Sequence, residues 1–347
     1  MLILSSAPVS ALLFVVSLLI AMGASSWFTR RLENICNLLE LPDSLLSLLG
    51  ALGANIPNYA ASIVAIAHGQ MAEGLGIIIG SNIYNIAIIL SVSTFAHSFH
   101  HSIRLGKRQA ADALIVGIYT LAISCATLGS VALLTVFPAH TFAISLYSPI
   151  SIVLIVVSIV ALAFFGRLCY HALNRPAHIV HEPSAPSGEI IKERRRAEIS
   201  SVRAFGGAIL ALLTALGSVV VMVNAGQTFA TDIHMPPAIL GLLVLAVATS
   251  LPNTVVAFIL ARTGRETACV EEVLSSNSIN AALGIALPLI VWHSMIHDTL
   301  LLALDVPLMI ALTLVMLGCV LRQRVRHVTA VLLFCVYVAW IVTHLYL

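Results

Sequence analysis

Ten apolar runs divide this chain, at 8–28, 44–67, 73–96, 110–130, 142–166, 204–225, 236–261, 270–292, 303–321 and 328–346. Each is close to the ~20 residues that an α-helix needs to cross the hydrocarbon core of a bilayer. Numbering the connections in order sorts the charges. All 17 lysines and arginines follow odd-numbered runs, from Arg30 and Arg31 through Arg104, Lys107 and Arg108 to Arg322, Arg324 and Arg326. The other connections and their edges hold Glu73, Asp232, Asp298 and Asp305 and no base. Miscounting one run would destroy the segregation. Basic loops mark the cytoplasmic side, so both termini are expected outside and the longest connection, 167–203, inside.

Composition excludes the main alternatives. The 347 residues are 60% hydrophobic and 9% charged, whereas a soluble domain carries roughly a quarter charged residues. So much apolar surface cannot be buried in one water-soluble core, and the lipid bilayer is the expected partner. The net charge of +2 offers nothing to nucleic acid, because the bases sit between apolar runs. The run from Ala7 to Trp27 lacks a basic n-region and a small-residue cleavage pattern, so it reads as the first span and not as a leader. Six cysteines without a C-x-x-C pair read as small packing residues, not as disulfides or a zinc site. The expected fold is an all-α integral membrane protein of ten transmembrane helices.

The chain also repeats itself. Gly53-Ala54-Asn55-Ile56-Pro57-Asn58 returns as Ala248-Thr249-Ser250-Leu251-Pro252-Asn253, and Ile79-Gly80-Ser81-Asn82-Ile83-Tyr84-Asn85 as Leu274-Ser275-Ser276-Asn277-Ser278-Ile279-Asn280. The offset is 195 in both blocks, and it also matches Gly69 with Gly264. Each copy holds five spans, so the second must enter the membrane upside down. Inverted repeats are characteristic of secondary transporters, with the site near the midplane where the copies meet. The implied division is a first repeat over 1–166, a linker over 167–203 and a second repeat over 204–347.

Polar side chains inside hydrocarbon must face protein or water. Pro57 removes the amide that would bond the Gly53 carbonyl, and Pro252 does the same for Ala248, so two broken helices are expected. Freed carbonyls beside Asn, Ser and Thr oxygens make a cation cradle. A single asparagine would read as interhelical glue; two matched clusters read as a site. The candidate ligands are Asn55, Asn58, Ser81, Asn85, Thr249, Ser250, Asn253, Ser276 and Asn280.

The two blocks resemble the α-repeats of the sodium/calcium exchanger family, within the calcium/cation antiporter superfamily. Members read roughly G-T-S-L-P-E on one helix and G-S-N-I-F-N on the next; Thr249-Ser250-Leu251-Pro252 keeps the pattern best, and Asp305-Val306-Pro307 is similar to the start of a late helix in bacterial members. The resemblance implies a sodium/calcium exchanger-like fold, two inverted five-helix repeats and ion-gradient-coupled, alternating-access cation antiport. Family members place a calcium-binding glutamate after each proline. Here Asn58 and Asn253 stand at those positions, and Ala54 and Asn55 where Thr and Ser are usual. Calcium prefers six to eight oxygens with carboxylates among them. Neutral amides keep the oxygens and lose the charge that offsets desolvation, so calcium itself is disfavoured.

Glu272 lies one helical turn before Ser276 and can act as a relocated carboxylate or proton carrier; the competing reading pairs it with Arg262 or Arg265 at the interface. His97 with His101, and His293 with His297, are spaced i, i+4 and can hold a transition metal; the alternative is amphipathic side chains at headgroup level. No nucleotide-binding G-x-x-x-x-G-K-[ST] and no H-E-x-x-H or G-x-S-x-G occurs, so neither an ATP-driven pump nor an enzyme is expected. No resident cofactor is implied, only a transported ion or small solute. Two further readings stay open: an exporter of a transition metal or small organic solute, and a non-transporting scaffold that retains the fold.

Overall fold

The computed structural model describes residues 7–38, 51–97, 103–136, 149–173, 190–262, 266–292 and 298–346. Among the described residues, helix covers part or all of each of the ten runs. The first, α1, covers Ala7–Leu38. Helix α2 comprises residues 51–54 and, after a turn at Asn55, Ile56–Ala67. Helix α3 runs through Met71–Tyr84, a π-helical turn at Asn85–Ile89, and Leu90–His97. Helices α4 and α5 are Lys107–Val136 and Pro149–Leu173. The long α6 is Ile190–Asp232. Helix α7 joins Pro237–Ile239, a π-helical Leu240–Leu245 and Ala246–Arg262. Helix α8 joins Glu266–Ala281, a π-helical Ala282–Ala286 and Leu287–Val291. Helix α9 is Leu301–Asp305 with Val306–Leu321, and α10 is His327–Tyr346.

Among the described residues seven helices are long and apolar enough to cross a bilayer, and Ile56–Ala67, Ala113–Ala126 and Ile155–Arg167 are shorter apolar helices. Burial separates inner from outer. The most apolar stretch of Met71–Ala96 is 89% buried and that of Cys269–Val291 is 83% buried, against 22% for Ala7–Arg31 and 28% for His327–Tyr346. Helices α3 and α8 therefore form the centre. Helices α1, α5, α6 and α10 expose Leu12, Leu19, Val156, Leu213 and Leu332, side chains that suit contact with lipid.

The stretch read as a linker is partly helical. Helix α5 continues to Leu173 and α6 begins at Ile190, well before its apolar part. The residues from Lys192 to Glu198 are good helix formers without glycine or proline, so nothing stops the helix at the membrane edge. At 43 residues α6 is about 65 Å long, roughly twice the hydrocarbon thickness.

Three local ties show which helix ends lie together. Ile103 and Arg104 pair antiparallel with Val325 and Arg324, forming β1 and β2, so the basic loops after α3 and α9 lie together. On the other face Gln227 Nε2, near the end of α6, donates to both carboxylate oxygens of Glu73 at the start of α3, at 3.1 Å each. Asp305 at the start of α9 meets Trp340 and His344 near the end of α10 there as well.

Helices α3 and α7 approach closely through small residues, as membrane helices often do. A Cβ on Gly80 would lie 2.4 Å from the Leu242 carbonyl oxygen, and one on Gly241 2.3 Å from that of Glu73. This contact carries the Ser81 hydroxyl to the Ala246 carbonyl at 3.3 Å.

Candidate functional site

The two polar blocks converge on the buried centre. Asn55, Asn58, Ser81, Asn82, Asn85, Thr249, Ser250, Asn253, Ser276, Asn277 and Asn280 are all buried. Four helices supply them: α2 and α7 from the proline blocks, α3 and α8 from the Ser-Asn-x-x-Asn blocks.

Asn55 is the hub of one network. It sits at the turn in α2 with φ −91° and ψ 1°. Its Oδ1 accepts Asn58 Nδ2 at 3.1 Å and Asn253 Nδ2 at 2.7 Å. Its Nδ2 donates to the Ala51 carbonyl at 2.7 Å and to Ser276 Oγ at 2.8 Å. Ser276 Oγ in turn donates to Glu272 Oε1 at 2.9 Å. One side chain thus joins α2, α7 and α8.

The second network is symmetric. Asn82 Nδ2 donates to the Asn277 carbonyl at 3.4 Å, and Asn277 Nδ2 returns to the Asn82 carbonyl at 3.2 Å. Asn85 Nδ2 reaches Asn277 Oδ1 at 2.9 Å, while Asn280 Nδ2 reaches Asn82 Oδ1 at 3.1 Å. Adding or subtracting 195 maps each bond onto its partner, as a two-fold axis between α3 and α8 requires. The axis passes between Asn82 and Asn277, which the site reading from sequence did not include among the ligands. Their exchange at the repeat offset was the available signal.

Four carboxamide oxygens remain free. Oδ1 of Asn58, Asn85, Asn253 and Asn280 has no hydrogen-bond partner, although every one of these amides donates through Nδ2. They form two symmetry pairs, 58 with 253 and 85 with 280. The bonds made by Nδ2 fix which way each oxygen faces. An unsatisfied buried carbonyl costs about 1–3 kcal/mol, so four in matched positions are acceptors poised for a cation or a donor. Ser250 Oγ is unpartnered too.

The remaining candidates stand apart from this pattern. Thr249 Oγ1 bonds back to the Leu245 carbonyl of its own helix at 2.7 Å, and Ser81 is committed to Ala246. Lone pairs remain on both oxygens. Glu272 is buried, with Oε1 on Ser276, and Arg262 is placed over the Phe258 ring, 5.8 Å from its centroid. Arg265 and Gly264 lie outside the described residues. So do His101, His293 and His297, and the side chain of His97 with them. Among the described residues no group of three or more His, Cys, Asp or Glu is placed to hold a metal ion.

The break expected at both prolines occurs at one. Asn55 interrupts α2 just before Pro57, whereas Ala246–Arg262 continues through Pro252. A proline deletes one backbone bond, and neighbouring helices let a membrane helix tolerate that loss. The turn belongs to Asn55, whose side chain takes the Ala51 carbonyl.

The sodium/calcium exchanger protein family model matches residues 9–170 and 203–346. Among solved structures, the sodium-calcium exchanger NCX_Mj soaked with 10 mM Na+ and zero Ca2+ is 16% identical over 97% of this chain and 99% of that chain, with a TM-score of 0.64. The same exchanger soaked with 100 mM Na+ and 10 mM Sr2+ is 17% identical over the same shares, also at 0.64. Soaked with zero Na+ and Ca2+ it gives 17% and a TM-score of 0.61. At such identity the likeness is one of fold. No curated protein matches the chain. Both repeats, with their polar blocks at the crossing of α3 and α8, fall within the matched stretches, and the chain belongs to the sodium/calcium exchanger family.

Proposed function

We propose that this multi-pass membrane protein is a cation antiporter driven by an ion gradient, with an uncharged Asn/Ser/Thr site that is exposed alternately to each face. Asn58, Asn85, Asn253 and Asn280 are its central ligands, with Ser250, Ser276, Thr249, Ser81 and Asn55 completing the cage. The observation that carries this reading is the set of four matched carboxamide oxygens, oriented by their own donor bonds and otherwise unpartnered. The proposed setting is the cytoplasmic (inner) membrane if the source is bacterial, and the segregation of all 17 bases supports both termini outside and 167–203 inside.

The ligand chemistry sets the choice of ion. Amide and hydroxyl oxygens replace a hydration shell but supply no charge. Two unit charges 4 Å apart attract by about 4 kcal/mol at an effective dielectric of 20. Losing two such contacts to a doubly charged ion outweighs the geometry that is retained, so calcium binds poorly here and monovalent cations are favoured.

Tracer flux in proteoliposomes tests the reading, with sodium, potassium, calcium, manganese, zinc and small organic cations as separate arms. The wild type is expected to exchange a cation, and Asn58→Leu and Asn253→Leu to abolish exchange. Undiminished flux in both variants refutes the assignment.

A further inference from the structure

The carboxamide oxygens carry no charge, but the network they belong to does. Glu272 is 5% exposed, with Oε1 bonded to Ser276 and Oε2 buried without a partner. From Oε1 the chain Ser276, Asn55, then Asn58 and Asn253 is continuous, with every link at 3.1 Å or less. The carboxyl is therefore wired to both proline-block amides. The other buried acids among the described residues are committed elsewhere, Glu73 to Gln227 and Asp305 to Trp340 and His344.

No described lysine or arginine is buried, and none forms an ion pair with Glu272. Among the described side chains on α8 and the elements packed against this end of it, the charged and titratable groups include Arg104 on β1, Lys107 at the start of α4, Arg262 on α7, Tyr84 on α3, and Glu271 and Cys269 on α8 itself. The three bases are exposed, Glu271 is half-buried, Tyr84 receives the Thr254 hydroxyl at 3.2 Å, and Cys269 is buried. None of them neutralises the Glu272 carboxylate.

We infer that Glu272 is the charge-bearing member of the site and that the protein exchanges one monovalent alkali cation for one proton, the two competing for this carboxyl. The inference rests on the antiport reading above and adds the substrate class and the coupling ion. One buried carboxylate is neutralised by one proton, or by one monovalent cation held between it and the amide oxygens. A divalent ion leaves one positive charge in the site, and an empty ionised site one negative charge; both are uncompensated charges in a medium that penalises them. Two neutral forms can therefore reorient. On one face the carboxylic acid releases its proton to water and takes the cation. On the other face the cation leaves and a proton from that side returns. The net cycle moves one cation one way, one proton the other, and no charge.

The test uses the full chain in liposomes loaded with a pH-sensitive dye, pulsed with sodium, potassium, lithium, calcium or manganese. A monovalent pulse is expected to drive protons out of the lumen at a rate unchanged when the membrane potential is clamped. The apparent KM for the cation should rise about tenfold per pH unit on acidification, as for one competing proton. Glu272→Gln, with an unchanged thermal melt, should lose proton movement, and Glu272→Asp should retain it with a displaced pH profile. Cation flux without proton movement, divalent exchange alone, or proton coupling intact in Glu272→Gln overturns the inference and leaves antiport standing. Absence of any cation flux in the wild type overturns the antiport reading and the inference with it.

Discussion

Replacing Asn55 by alanine probes the central network most directly. The change deletes four hydrogen bonds, two donated by Asn55 and two received. What it leaves behind matters more than what it removes. The Nδ2 groups of Asn58 and Asn253 lose their only acceptor, in a region where both residues are 0% exposed. Interhelical hydrogen bonds in membranes average about 0.6 kcal/mol, so the two lost bonds between helices account for about 1 kcal/mol. Each stranded buried donor adds about 1–3 kcal/mol. The stranded groups dominate, and the expected destabilisation is about 3–7 kcal/mol. Asn55→Asp keeps an acceptor for both amides and should lose less than Asn55→Ala. Reversible unfolding in mixed micelles, followed by far-UV circular dichroism, measures both. A loss below about 0.5 kcal/mol for the alanine variant would refute the network, because the two amides would then be finding acceptors other than Asn55.

Two more perturbations follow from the same geometry. Gly80→Ala sets a methyl group 2.4 Å from the Leu242 carbonyl and 2.8 Å from Ala246 Cβ, which should cost about 1–3 kcal/mol and slow exchange as α3 and α7 separate; an unchanged melting temperature contradicts this contact. Asn58→Asp combined with Asn253→Asp returns two carboxylates to the oxygen cage and should raise calcium affinity at least tenfold by calorimetry; equal calcium binding in variant and wild type shows that charge was not the missing ingredient.

The helical membrane fold was legible because run length and charge segregation are properties of local sequence. The unbroken Pro252 was not, since a proline fixes which bond is lost but not whether neighbours absorb the loss. The residues from Lys192 to Glu198 carried a helix signal of their own, which their place in a polar connection obscured. The role of Asn55 was legible only in part. Its identity departs from the serine of its counterpart Ser250, and that departure supplies two N–H donors beside an oxygen that accepts twice, a set that a hydroxyl with its single donor could not reproduce.

The sequence by itself determined ten apolar helices and two copies related by an offset of 195, because hydrocarbon thickness and loop charge act on each segment separately. Tertiary structure decided which polar atoms meet. The Asn82–Asn277 exchange and the path from Glu272 to Asn253 each join residues from different repeats or helices. Hydrogen bonding is satisfied through space within about 3 Å, a range at which only packed helices, not spacing along a chain, choose the partner.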